Sequence, residues 1–223
     1  MRICYVFPSR SRPGKFFKAL DNIKELSESD NYFIIAKLDE DDETMNNEEV
    51  KGRLQTEYPD VIIRWGLSKN KIHSINRGLE DLPPCDIIIV MSDDMIWEMW
   101  GFDTEIRNSF QAHFPDFDGV IHYPDSHALA KTMTLTIIGV NLYNQLGYLY
   151  WPEYESVFAD NDLTEMTRMM GKYVYIGRRI FDHHHPIWKM SEWDRQYRKT
   201  EDKEVCKRDR EVYHKRRANK FGL

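Results

Sequence analysis

Cysteine is scarce and unpatterned in this 223-residue chain: Cys4, Cys85 and Cys206 are odd in number and lack metal-ligand spacing. A disulfide framework is not expected, and a reducing compartment, the cytoplasm, is. Long hydrophobic runs are missing too. The first apolar run, Ile3–Phe7, ends at Pro8 and is too short for a signal peptide, and no run approaches the length that spans a bilayer. The expectation is a soluble protein with no transmembrane segment. Positive charge is in deficit: 31 Lys and Arg stand against 37 Asp and Glu, a formal net charge of −6, which argues against nucleic acid as a partner. The deficit is uneven. From Lys189 onward 12 Lys and Arg face 7 Asp and Glu, leaving a tail near +5 and a body near −11.

What is present is a globular composition, 41% hydrophobic and 30% charged, in a chain long enough for one sizeable core. Its organising stretch is DIIIVMSDDM, Asp86–Met95. The apolar part is too short for a buried helix and reads as a central strand that stops at two adjacent carboxylates. Asp93 and Asp94 then fall at the carboxyl edge of the sheet, where open α/β folds bind ligands. Two carboxylates so close repel unless something positive lies between them. A divalent cation that also holds phosphate oxygens is the simplest such partner, and a solvated loop or helix cap is the plainer alternative.

Upstream, the strand Ile3–Phe7 opens into PSRSRPGK, Pro8–Lys15, a loop with three cations in which Arg10 or Arg12 would reach an anion. It lacks the GxxxxGK[ST] pattern of a P-loop. A helix is expected over Phe16–Leu26, and a strand over Tyr32–Leu38 that again ends in acids, where Asp39 would accept from a base or ribose. A helix around Asn46–Tyr58, a strand Val61–Trp65 and a helix over Lys69–Leu82 ending near Pro83 complete a β-α-β-α-β-α-β series. Lys71 lies near the start of the last helix. The fold class is therefore α/β: a mostly parallel central sheet flanked by helices.

Beyond Met95 the pattern changes. Ile96–Phe114 is aromatic-rich and helical in its second half, Gly119–Tyr123 and Thr132–Val140 read as strands, and Asn141–Leu149 as a short helix. Asp160 and Asp162 open a further helix closed by Gly171, and a strand over Tyr173–Phe181 leads to Asp182 and three histidines. Acids favour a helix start, which suffices for Asp162, whereas Asp160 is the better candidate for a general base. On an extended segment His183 and His185 share a face, so either is a candidate metal ligand or part of a hydrogen-bonded turn before Pro186. Residues 189–223 are charged throughout, with an amphipathic helix over Asp202–Arg217. It packs on the body or makes a peripheral contact with an anionic membrane, an acidic acceptor or a second subunit.

The order of these stretches resembles a GT-A fold nucleotide-sugar glycosyltransferase, most similar to the family 2 glycosyltransferases. PSRSRP, the strand ending at Asp39, KIHSINRGL, IIIVMSDDM and ADNDLTEMTRMMG fall in the family's order over residues 1–185. The resemblance implies a domain over 1–188, with a nucleotide-binding half (1–95) and an acceptor half (96–188), followed by a helical tail. It puts the family's DXD motif on Ser92-Asp93-Asp94, with Asp94 binding Mn²⁺ or Mg²⁺ together with the donor diphosphate. Asp160 becomes the base, and His183 or His185 an additional metal ligand. Pro8, Arg10, Asp39, Lys71 and Asp93 would hold the nucleotide of a UDP- or GDP-sugar, and Trp100 and Trp151 are candidates to stack on sugar or acceptor. The implied reaction is an inverting transfer to a hydroxyl of a glycan or other acceptor.

Three departures stand out: Ser92 replaces the first acid of DXD, Ala159 replaces the acid beside the base, and Met166 falls where the family has Arg. The QxxRW motif of processive synthases is absent. Two other readings remain: a sugar-phosphate nucleotidyltransferase, which normally has a Gly-rich loop after its first strand, and a nucleotide-sugar binding module without turnover.

Overall fold

The apolar runs become strands and the amphipathic stretches become helices covering both faces of one sheet. The computed structural model describes residues 1–223. β1 (Ile3–Pro8), α1 (Pro13–Leu26), β2 (Tyr32–Asp39), α2 (Glu48–Glu57), β3 (Ile62–Gly66), α3 (Lys71–Asn76) and β4 (Ile87–Val90) alternate through the first half. β5 (Met95–Trp97), α4 (Phe102–His113), β6 (Val120–His122), β7 (Ile137–Gly139), α5 (Val140–Leu146), α6 (Ala159–Met169), β8 (Tyr173–Tyr175) and β9 (Phe181–His183) follow. The chain closes with α7 (Arg195–Thr200) and α8 (Lys203–Ala218).

Seven strands form one sheet in the order β3-β2-β1-β4-β7-β6-β8. The β3-β2-β1-β4 half is parallel throughout, β7 runs antiparallel to both its neighbours, and β8 is parallel to β6. Alternation along β1 sends Ile3, Tyr5 and Phe7 into one core and Cys4 and Val6 into the other. The first core packs α1, α2 and α4 through Phe16, Leu20, Leu54, Phe102 and Phe110. The second packs α3, α5, α6 and α8 through Ile72, Ile75, Leu142, Leu163 and Tyr213. With both faces covered, the central strands are apolar at nearly every position.

Three elements depart from expectation. The helix expected over Lys69–Leu82 ends at Asn76, because Arg77 is extended and Gly78 takes a positive φ of 62°. The strand expected over Thr132–Val140 shortens to Ile137–Gly139: Met133 donates its amide to the Thr164 hydroxyl and Thr134 gives its hydroxyl to Asp125. Tyr173–Phe181 is two strands, β8 in the main sheet and β9 in a separate ribbon with β5, so the chain changes sheet between them.

Residues 189–223 pack onto the body. In α8, buried Asp209 accepts from the amides of Glu155, Ser156 and Val157, and Arg216 pairs with buried Asp162 of α6 at 2.5 Å. No helix is long and apolar enough to cross a membrane.

Candidate active site

The parallel strands β1, β2 and β4 deliver their last residues to one edge, and the side chains there are mostly charged. Asp93 and Asp94, each 6% exposed, lie just past β4. Their partners differ. Asp93 accepts from Ser9 Oγ (3.0 Å) and Arg12 Nη1 (2.9 Å), both in the loop after β1. Asp94 accepts from Ser92 Oγ (2.6 Å) and Tyr197 Oη (2.8 Å), and its Oδ2 lies 3.4 Å from His183 Nε2.

A short ribbon brings His183 there. β5 begins directly after Asp94 and pairs antiparallel with β9, placing Met95 opposite His183, and the His184 amide donates to the Asp94 carbonyl (2.8 Å). The pairing register therefore fixes which histidine meets the aspartate. His185 sits nearby, ring centroid 5.3 Å from that of His183, but both its nitrogens are engaged. Nε2 meets Glu201 at 2.7 Å and Nδ1 accepts from the Ile187 amide.

The nucleotide-side candidates gather at the ends of β1 and β2 and the start of α3. Pro8 closes β1. Buried Asp39 closes β2 and is held by Arg10 (2.8 Å) and, more loosely, Arg77 (3.5 Å), while Arg10 also pairs with Asp41 (2.7 Å). Lys71, exposed at the start of α3, is close enough for its charge to act on Asp94, Asp160 and His183. Asn70 caps that helix, accepting from the His73 amide at 2.8 Å. Of the two aromatic candidates, Trp100 is exposed, whereas Trp151 lies under the guanidinium of Arg216 at 3.9 Å and belongs to the α6–α8 packing.

Asp160 lies in the first turn of α6. The preceding Phe158 has a φ of 63°, uncommon for a bulky residue. The Asp160 carboxylate accepts only from the neighbouring Asn161 amide, at 2.9 Å, so no cation or hydroxyl occupies it.

Burial and contacts set unequal proton affinities. Burial pushes Asp93 up to about 6, with Asp94 adding to it and Arg12 opposing. Burial also acts upward on Asp94, but His183 and Ser92 outweigh it and hold that carboxyl well below the usual range. His183 loses affinity through burial and regains more from Asp125 and Asp94, reaching about 9. Burial raises Asp160, with the Asn161 amide and Lys71 opposing.

Three residues that no sequence motif marked, Asp125, Asp194 and Tyr197, complete the site together with Arg12 of the PSRSRPGK loop. Of the two arginines that the loop offers to an anion, Arg12 is the one that reaches Asp93. Its guanidinium also binds Asp194 through two bonds (2.8 and 2.9 Å) and stacks on Tyr197 at 3.7 Å. Asp194 and Tyr197 come from the start of α7, which thus lies across the carboxylates. Asp125, from the loop after β6, faces His183 from the other side. The only available signal was residue type, since these side chains are far apart in sequence.

No set of three His, Cys, Asp or Glu side chains converges tightly enough to hold a metal ion by protein ligands alone. Asp94 and His183 Nε2 offer two donors of suitable type, a carboxylate and an imidazole. A two-donor site fits a divalent cation whose remaining positions come from phosphate oxygens and water.

No protein-family model matches the sequence, and no curated protein matches it. Solved structures do match by shape. A mannosyltransferase from Pyrobaculum calidifontis, in complex with GDP-Man and Mn²⁺, superposes with a TM-score of 0.62 at 14% identity, over 79% of this chain and 54% of that one. TarS of S. aureus (1–349) in complex with UDP-GlcNAc gives 0.60 at 9% identity, over 81% and 57%. A 4-diphosphocytidyl-2C-methyl-D-erythritol synthase from Anaerococcus prevotii gives 0.53 at 13% identity, over 95% and 96%. The fold, a mostly parallel seven-stranded sheet flanked by helices, is of the GT-A kind. The chain spans little more than half the length of the first two structures.

Proposed function

We propose that this chain is a divalent-metal-dependent glycosyltransferase that moves a sugar from a UDP- or GDP-sugar to a hydroxyl of a glycan or other acceptor, with inversion. The observation that carries the reading is the meeting of Asp94 and His183 Nε2 at the carboxyl edge of β4, beside Arg12 and within electrostatic reach of Asp160.

Asp94 and His183 would hold Mn²⁺ or Mg²⁺, which when bound supplies positive charge against the diphosphate as it departs. Arg12, anchored by Asp93, would offer the same diphosphate the guanidinium edge that Asp194 now holds. Pro8, Arg10, Asp39 and Lys71 line the nucleotide side. Asp160 takes the proton of the acceptor hydroxyl as that oxygen bonds to the anomeric carbon and the bond from that carbon to the diphosphate breaks. Its carboxylate is unengaged by any cation, and its raised proton affinity suits a base. His185, with both nitrogens engaged, is left to support the ribbon.

The test is incubation with UDP- and GDP-sugars, Mn²⁺ and a panel of hydroxyl acceptors, with product mass and nucleotide release followed together. Nucleoside diphosphate appearing with glycosylated acceptor supports the proposal. The likeness to the erythritol synthase over nearly the whole chain favours a second reading, nucleotidyl transfer. Pyrophosphate released from a nucleoside triphosphate and a sugar phosphate would establish it instead.

A further inference from the structure

We infer that Asp125 is a positioning residue: it fixes the imidazole of His183 so that Nε2 presents its lone pair beside Asp94. The inference rests on the metal reading above.

Asp125 is 1% exposed and held on three sides. Oδ1 accepts from the amides of His127 (2.8 Å) and Ala128, and Oδ2 from the Thr134 hydroxyl (2.9 Å). Oδ2 also faces His183 Nδ1 at 3.8 Å, and that nitrogen is buried without a hydrogen-bond partner. The imidazole therefore stands between two carboxylates of different freedom. Asp94 lies at the carboxyl edge of the sheet beneath α7, engaged by two hydroxyls. Asp125 is tied into its own loop and cannot advance into the site. An imidazole so placed directs its Nδ1 proton to the fixed carboxylate, so that Nε2 is the nitrogen that gives up its proton to a metal ion, the arrangement in which an outer carboxylate orients a metal-binding histidine. A capping role for the 126–134 loop explains the Oδ1 bonds and the Thr134 bond. It does not explain why a buried carboxylate oxygen faces a buried, partnerless nitrogen of a neighbouring ribbon.

Asp125→Asn separates the two roles. The two backbone amides require the side-chain carbonyl oxygen, so the loop stays capped, and the new NH₂ is turned toward His183 Nδ1, where it demands a lone pair and favours the Nε2–H tautomer. Mn²⁺ affinity is measured calorimetrically on full-length wild type, Asp125→Asn, His183→Ala and the double variant, with UDP or GDP present. Ring-nitrogen NMR is recorded on the Mg²⁺-loaded protein, and thermal melts confirm folding. Asp125→Asn is expected to weaken Mn²⁺ about 10–100-fold and to remove the wild-type Nδ1–H signal, and the double variant to bind no more weakly than His183→Ala. Wild-type affinity and an unchanged His183 spectrum in Asp125→Asn would overturn the inference while leaving the metal reading intact. So would an equal loss on the His183→Ala background. Absence of Mn²⁺ binding by wild type with either nucleotide would overturn the metal reading, and the inference with it.

Discussion

Asp93 and Asp94 are adjacent and chemically identical, yet their neighbours give them separate roles. Asp93 is engaged by Arg12 and Ser9, so it organises a cation; Asp94 is engaged by groups a ligand can displace or share. Asp160 differs again: it has no cationic partner, and burial raises its affinity for a proton. A base must be unprotonated to act, so with Asp160 as the proposed base turnover is expected to fall as pH drops through its raised pKa. Asp160→Asn should lower kcat by roughly 10²–10⁴ and leave nucleotide binding unchanged, while Tm at neutral pH rises because an ionised carboxylate disfavoured by burial has been removed. A pH–rate profile and a thermal melt of the one variant check both. The acids at strand ends and the base candidate were legible because a run of apolar residues ending in carboxylates is a local pattern. Asp125, Asp194 and Tyr197 were not, since each looks like an ordinary loop or helix residue until the fold brings it to Asp94, His183 or Arg12.

Among the elements, the short β5–β9 ribbon and α7 govern the site more than the long helices do. Sequence pattern gave β1, β2 and β4 closely, because continuous apolar runs bounded by polar residues have few alternatives. It overextended α3 past Gly78 and merged β8 with β9, since period alone does not say which sheet a strand joins. Asp194 is the N-cap of α7, and its carboxylate accepts from the Tyr197 amide at 2.9 Å while holding Arg12. That carboxylate occupies the place an anionic diphosphate would take on Arg12. Asp194→Ala should therefore tighten Mn²⁺-dependent UDP or GDP binding by up to about fivefold, the release of a half-exposed ion pair worth ~0.2–1 kcal/mol; weaker binding would mean that α7 supports the donor site. On the far side, α8 anchors to α6 through Arg216 and Asp162. Arg216→Ala leaves a buried carboxylate unpaired, at a cost of ~3–5 kcal/mol, and should lower Tm by roughly 6–20 °C. Adding Asp162→Asn should recover part of that loss in the same melt.

Across the whole molecule, charge is divided between the two parts that pack together. The basic C-terminal stretch meets an acidic body, with Arg208 on Glu155, Arg216 on Asp162 and Arg217 on Glu165. The uneven charge was visible in the sequence; that three of the tail's twelve cations dock onto the body required the fold. The candidate site likewise belongs to the entire chain, since the loop after β1, the end of β4, the start of α6, β9 and α7 each contribute. At its centre we propose Asp94 as the carboxylate through which a metal and a nucleoside diphosphate are held together. The direct measurement is calorimetric titration of UDP and GDP into wild type and Asp94→Ala, with and without Mn²⁺. Nucleotide binding by wild type that requires Mn²⁺ and disappears in Asp94→Ala is the predicted result. No nucleotide binding under any metal condition, or binding that Asp94→Ala leaves intact, would contradict it.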